Sequence, residues 1–161
     1  MAVTVKKVLS REAFKSLEIE TNGSEPEFVQ IAGIETLTLS FEADEDDTTD
    51  YDSEGWAEHL IGERSEQVEI SGKMAFVDAK AETPERDPGQ KAVEELGRKT
   101  GIESLGKVRL NTLGGGTITY VCSAQLGNQG GARAAASEWG ASFQSSGKPE
   151  ITPAGANGGE G

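Results

Sequence analysis

Two stretches decide the fold: Thr36-Leu37-Thr38-Leu39-Ser40-Phe41-Glu42 and Gln67-Val68-Glu69-Ile70-Ser71-Gly72-Lys73-Met74. Apolar and polar side chains alternate in both with a period of two, the pattern of a β-strand with one buried and one wet face. Gly72 breaks the apolar face of the second stretch, and marks a bulge or a place where another backbone comes close. Working outward, Ile118, Tyr120, Cys122, Ala124 and Leu126 form a third such face, and Trp139, Ala141 and Phe143 a fourth. Shorter strand candidates lie at 3–8, 17–20, 28–31, 108–110 and 149–152. One apolar face per strand predicts a mainly β chain, an antiparallel β-sandwich or barrel whose sheets pack face to face.

A single helix is expected over 88–100, flanking the sheets. Asp87 can cap it, Pro88 suits its first position, and Gln90 stands at capping-box spacing. Ala92, Val93 and Leu96 supply its apolar stripe. Glu94 with Arg98 and Glu95 with Lys99 stand in the favourable i,i+4 order, and Gly101 offers a left-handed stop. The glycines at 114–116 and 127–131 read as turns. Residues 43–62 read as a long acidic loop, of the kind that is functional or disordered in a compact domain. The chain is thus expected to be one domain over 1–154, with a flexible Gly-rich tail at 155–161.

The formal net charge is −13. Residues 16–63 hold fifteen acids and no Lys or Arg, while the rest of the chain holds all fifteen basic residues and thirteen acids. Gripping nucleic acid takes the reverse, a basic footprint that neutralises phosphates. No apolar run is long enough to span a membrane, and Lys6, Lys7 and Arg11 interrupt any signal-peptide core, so synthesis in a cytoplasm is expected. Cys122, the only cysteine, sits in an apolar alternation and reads as buried filler.

No metal-ligand, nucleophile-elbow or phosphate-loop motif appears, and His59 is the single histidine. Neither enzymatic activity nor a cofactor is expected. Asp50-Tyr51-Asp52-Ser53-Glu54-Gly55 loosely matches the start of a calcium loop, but Ile61 stands where the bidentate Glu belongs. Trp56, an aromatic among acids, reads either as an interface anchor or as part of a satellite cluster with Leu60 and Ile61.

The run from Ile31 to Phe76 resembles the major tail tube proteins of long-tailed bacteriophages. The shared features are the strand over Gly33 to Phe41, the Phe-Glu-Ala-Asp-Glu run at 41–45, the Asp-Ser-Glu-Gly-Trp run at 52–56, and Glu63-Arg64-Ser65. Residues 134–153 resemble the family's C-terminal strands. The resemblance implies six subunits in a ring, rings stacked into a tube, and viral DNA conducted through the channel without specific binding. It implies location in the virion tail after synthesis in the host bacterial cytoplasm. Tape measure, tail terminator and distal tail or baseplate proteins are the implied partners, with no membrane involved. Carried over, the inter-subunit and inter-ring loop holds Asp44, Asp46, Asp47, Asp50, Tyr51, Asp52, Trp56 and His59. Thr36, Thr38, Ser40, Glu42, Gln67, Glu69 and Ser71 would line the channel, with Lys73 at a subunit seam. The alternatives are a tail terminator or distal ring on the same fold, or a β-sandwich binding module.

Overall fold

A computed structural model describes residues 4–21 and 25–153. The expected tail at 155–161 lies outside the described residues. Ten strands run in chain order: β1 (Phe14–Glu20), β2 (Phe28–Gln30), β3 (Ile34–Asp47), β4 (His59–Lys73), β5 (Phe76–Val77), β6 (Glu85–Arg86), β7 (Leu105–Thr112), β8 (Thr117–Leu126), β9 (Glu138–Ser145) and β10 (Glu150–Thr152). Two helices, α1 (Ser10–Ala13) and α2 (Pro88–Gly97), accompany them. Eight strands form one antiparallel sheet in the order β2-β1-β7-β8-β9-β4-β3, with β10 also on β8, while β5 and β6 pair apart.

The face-to-face layers are therefore halves of one sheet folded over. The chain itself requires this. β2 and β3 are the two outer strands of the path, yet only residues 31–33 separate them. Four steps of extended chain span at most about 14 Å. Seven strands laid flat at about 4.8 Å spacing would hold the edges nearly 29 Å apart. The sheet must curl until its edges meet, and glycines permit the meeting. Gly33 takes φ +78°, and a Cβ on Gly72 would overlap the Gly33 carbonyl oxygen. Gly72 stands opposite Ile34 within the β3–β4 pair, so the feature it marks is the bulge at which that register shifts between Ile34 and Thr36, right where the chain enters from the seam.

Helix α2 fastens the seam. Gln90 is fully buried, and its Nε2 donates to the carbonyls of Ala32 and Lys73, both at 2.9 Å. Its Oε1 accepts from the Ala75 N–H at 3.0 Å. Asp87 caps the helix through the Gln90 N–H and also accepts from the Ala32 N–H. The Gln90 side chain therefore does not complete a capping box; the unpaired backbone groups at the seam claim it. Glu94 likewise pairs with Arg86 at 2.7 Å, not with Arg98, and also accepts from the Trp139 indole at 3.2 Å. A helix packed against the sheet turns these side chains inward, where partners are fixed. It ends at Gly97, earlier than expected, and the left-handed Gly101 instead opens a separate 3-10 turn.

The core gathers Leu17, Ile19, Val68, Ile70, Val93, Leu96, Val108, Leu110, Tyr120, Cys122, Trp139, Ala141 and Phe143, each buried. The alternating faces point inward as the sequence predicts, with Leu37 and Leu39 packed against the core's edge. Phe41, and Phe76, which continues the expected apolar alternation of Val68, Ile70 and Met74, do not join them: they are 69% and 46% exposed. Phe41 lies where β3 and β4 have run past the rest of the sheet, and Phe76 on the separate two-stranded piece. Burial pushes the Cys122 thiol up to about 12. The strand expected at 3–8 does not form over its described residues 4–8.

On the outside of β1 and β7, Arg109 pairs with Glu18 at 3.1 Å and lies 4.2 Å from the centre of the Phe28 ring. Burial raises the Glu18 pKa, but hydrogen bonds from Asn111 and Arg109, with the Arg109 charge, outweigh it and hold the carboxyl below its ordinary value. A depressed folded pKa means stability that is complete above the unfolded value of 4.5 and lost as pH falls through the folded one. Glu18→Gln should therefore lower the urea midpoint at pH 7 and cost progressively less below pH ~4. A cost that does not change with pH would remove the ionised pair from the account.

Candidate functional site

The face of the sheet turned away from the core is polar across four strands. On β3 it presents Thr36, Thr38, Ser40 and Glu42, all exposed; on β4 it presents Glu69 and Ser71, exposed, with Gln67 half-buried. Cross-strand register makes these one surface: Thr36 sits opposite Ser71, Thr38 opposite Glu69, Ser40 opposite Gln67, and Glu42 opposite Ser65. The surface continues where sequence reading did not follow it. Ser142 and Gln144 on β9 stand opposite Glu69 and Gln67, and Gln125 and Ser123 on β8 stand opposite Ser142 and Gln144. Their signal was their alternation with Ala141, Phe143, Cys122 and Ala124, read only for its apolar half. Lys73 lies at the end of this face, opposite Glu138.

The expected loop over 43–62 is mostly a strand pair. β3 and β4 continue as a two-stranded arm from Glu42 opposite Ser65 to Asp47 opposite His59, with a bulge between Asp44 and Glu45. Acidic composition and the absence of a buried face concealed these strands, because arm residues 41–47 and 59–64 are all exposed. Only 48–58 connects them, and it is ordered locally. Thr49 donates to Asp47 Oδ1 through its N–H at 2.9 Å, and its hydrogen bonds hold the Asp47 carboxyl below the usual range. The Thr49 hydroxyl and the Glu58 backbone bond each other in both directions. Asp50 caps a short 3-10 turn (Tyr51–Ser53), accepting from the Asp52 N–H at 3.0 Å and the Ser53 hydroxyl at 3.1 Å.

The Asp50 side chain is thus engaged in the turn. Among the described residues no group of three His, Cys, Asp or Glu side chains is placed to hold a metal ion. Trp56 does not fold back into a cluster with Leu60 and Ile61: the three are 79%, 66% and 40% exposed. Tyr51 at the tip is also fully exposed. Of the residues expected in the loop, Asp44, Asp46, Asp47 and His59 lie on the strands of the arm, and Asp50, Tyr51, Asp52 and Trp56 at its tip. Between 42 and 63 the arm holds ten acids and neither Lys nor Arg.

Residues 15–87 match the phage tail tube protein family. This match includes β2, β3, the arm, β4 and the seam. No curated protein sequence matches significantly. Among solved structures, a chain from the tail of an empty gene transfer agent particle, obtained by helical refinement with C6 symmetry, superposes with TM-score 0.66 and 20% identity. That match covers 91% of this chain and 100% of the other. A chain from the virion of a native gene transfer agent particle superposes with TM-score 0.64 and 19% identity, covering 86% and 97%. The family's sequence pattern thus covers the seam and the arm, and the fold of the two gene transfer agent chains is shared along most of this one.

Proposed function

We propose that this subunit closes with five others into a ring, that the rings stack into the tail tube of a virion, and that the polar face of β3, β4, β9 and β8 lines the channel. The role is structural. The observation that carries the reading is the continuous Thr, Ser, Gln and Glu surface on the side of the sheet opposite the core. A wall offering carboxylates and hydroxyls repels or ignores a phosphate backbone, whereas rows of Lys or Arg would bind it and slow its passage. The C6 symmetry of the gene transfer agent tail supports the six-fold ring. Among the described residues the outer edges of β2 and β3 pair with no further strand, since the two meet only through residues 31–33, and they give each copy a place to join its neighbours' sheets.

The arm, with Asp44, Asp46, Asp47, Asp50, Tyr51, Asp52, Trp56 and His59, would reach an adjoining copy in the same ring or the next, with Lys73 at the seam between subunits. Tape measure, tail terminator and distal tail proteins are the further partners of such a tube. Electron microscopy of the purified chain over a range of concentrations should show six-fold rings or hollow tubes. In assembled particles, Glu42→Lys with Glu69→Lys should leave the tube intact and slow DNA ejection, more so at low salt, because the new charges face the DNA. Ejection at the normal rate would remove these residues from the channel.

A further inference from the structure

A groove runs beside the base of the arm, where β4 leaves β9. Phe41, Glu63, Arg64, Pro149 and Ile151 are among its lining residues, and Phe41 and Ile151 are 69% and 64% exposed. β4 pairs with β9 only from Gln67 to Lys73, so over 59–65 its groove-side edge has no strand partner among the described residues. The Glu66 N–H bonds the Ser145 hydroxyl at 2.9 Å, where that pairing gives out. An unpaired strand edge flanked by apolar side chains suits an extended segment, which adds as a further strand. Charge narrows the choice. Glu42, Glu63 and Glu66 are among the residues lining the groove or its rim, with Arg64 and Lys148, and Asp44 and Asp46 follow along the arm. A cationic, apolar segment fits.

The chain carries such a segment in Thr4-Val5-Lys6-Lys7-Val8-Leu9, which has two lysines and no acid. It forms neither helix nor strand, and Val5, Val8 and Leu9 are 88%, 48% and 57% exposed. None of its residues lines the groove of its own chain. It is rooted at Ser10 and Arg11, beside Ile34 and Leu37, at the end of β3 remote from the arm.

We propose that residues 4–9 of one copy lie in the groove of a second copy as a strand added to the 59–65 edge. Their valines and leucine would cover Phe41 and Ile151, and Lys6 and Lys7 would meet Glu63 and the arm's carboxylates. This rests on the reading that copies assemble. It adds a defined donor segment and acceptor groove that ring closure and stacking do not by themselves require.

Cys122 is buried, so an introduced surface cysteine is the only accessible one. The test mixes full-length Val5→Cys chains with size-tagged full-length Ser65→Cys chains, both sites lying outside the core, and applies a short bismaleimide cross-linker. Assembly is followed in parallel by electron microscopy. A mixed dimer, lost when Lys6→Glu and Lys7→Glu are added to the Val5→Cys chain and partly restored by Glu63→Lys on the other, is the expected result. Tubes without the mixed dimer would overturn the inference and leave the tube reading standing. A link formed only within a Val5→Cys, Ser65→Cys double variant, and never between copies, would also overturn it, by placing the segment in its own groove. Neither tubes nor mixed dimer would overturn both readings.

Discussion

Replacing Gln90 with Ala should lower the stability of the free chain by about 3–5 kcal/mol, more than most single core truncations to a smaller aliphatic residue. The side chain is fully buried and serves the Ala32 and Lys73 carbonyls and the Ala75 N–H at once. Removing it takes this partner from three part-buried backbone groups at the seam, at about 1–3 kcal/mol each before relaxation and before any water reaches them. Gln90→Met separates the causes, because it restores most of the volume and none of the hydrogen bonds. Urea unfolding should place Gln90→Met close to Gln90→Ala. Recovery to within ~0.5 kcal/mol of the parent would mean that the seam is held by packing and not by these bonds.

Trp56→Ala with Tyr51→Ala should act oppositely, leaving the free chain untouched and disabling its assembly. Both side chains are exposed at the tip of the arm, so melting of the monomer should move by no more than ~0.5 kcal/mol. An aromatic anchor buried at an interface is worth about 2 kcal/mol or more, and each 1.4 kcal/mol is tenfold in affinity. The concentration at which rings or tubes appear by light scattering should therefore rise by at least about 30-fold. Unchanged assembly alongside a lowered melting temperature would assign the two aromatics to the fold of the arm itself.

The two experiments probe different parts of one design. The seam fixes the curl of the sheet, and the curl fixes which way the polar face of β3, β4, β9 and β8 looks. The arm then projects from a rigid base, since β4 is paired on both sides from Gln67 to Lys73 before it runs out with β3 alone. Loss of Gln90 should reach function only by loosening the fold, whereas loss of Trp56 and Tyr51 should reach it with the fold intact.

The sequence by itself determined the strands and their inward faces. Leu17, Val68, Ile70, Tyr120, Cys122, Trp139 and Phe143 are buried where two-residue periodicity placed them, because a strand with one wet side must alternate. It also determined the start of α2, through Asp87 and Pro88. The polar residues of β3 and β4 were legible for the same reason, and their partners on β9 and β8 were as legible, had the polar half of the alternation been followed. Tertiary structure alone decided three things. It folded one sheet over on itself, since periodicity states which face is buried but not which strands become neighbours. It gave Gln90 and Glu94 to the seam and to Arg86, since a local capping or i,i+4 pattern yields to partners already fixed nearby. It also made strands of 43–47 and 59–62: an arm exposed on both faces has no apolar period to announce it, and only the register inherited from the buried part of β3 and β4 carries the pairing outward.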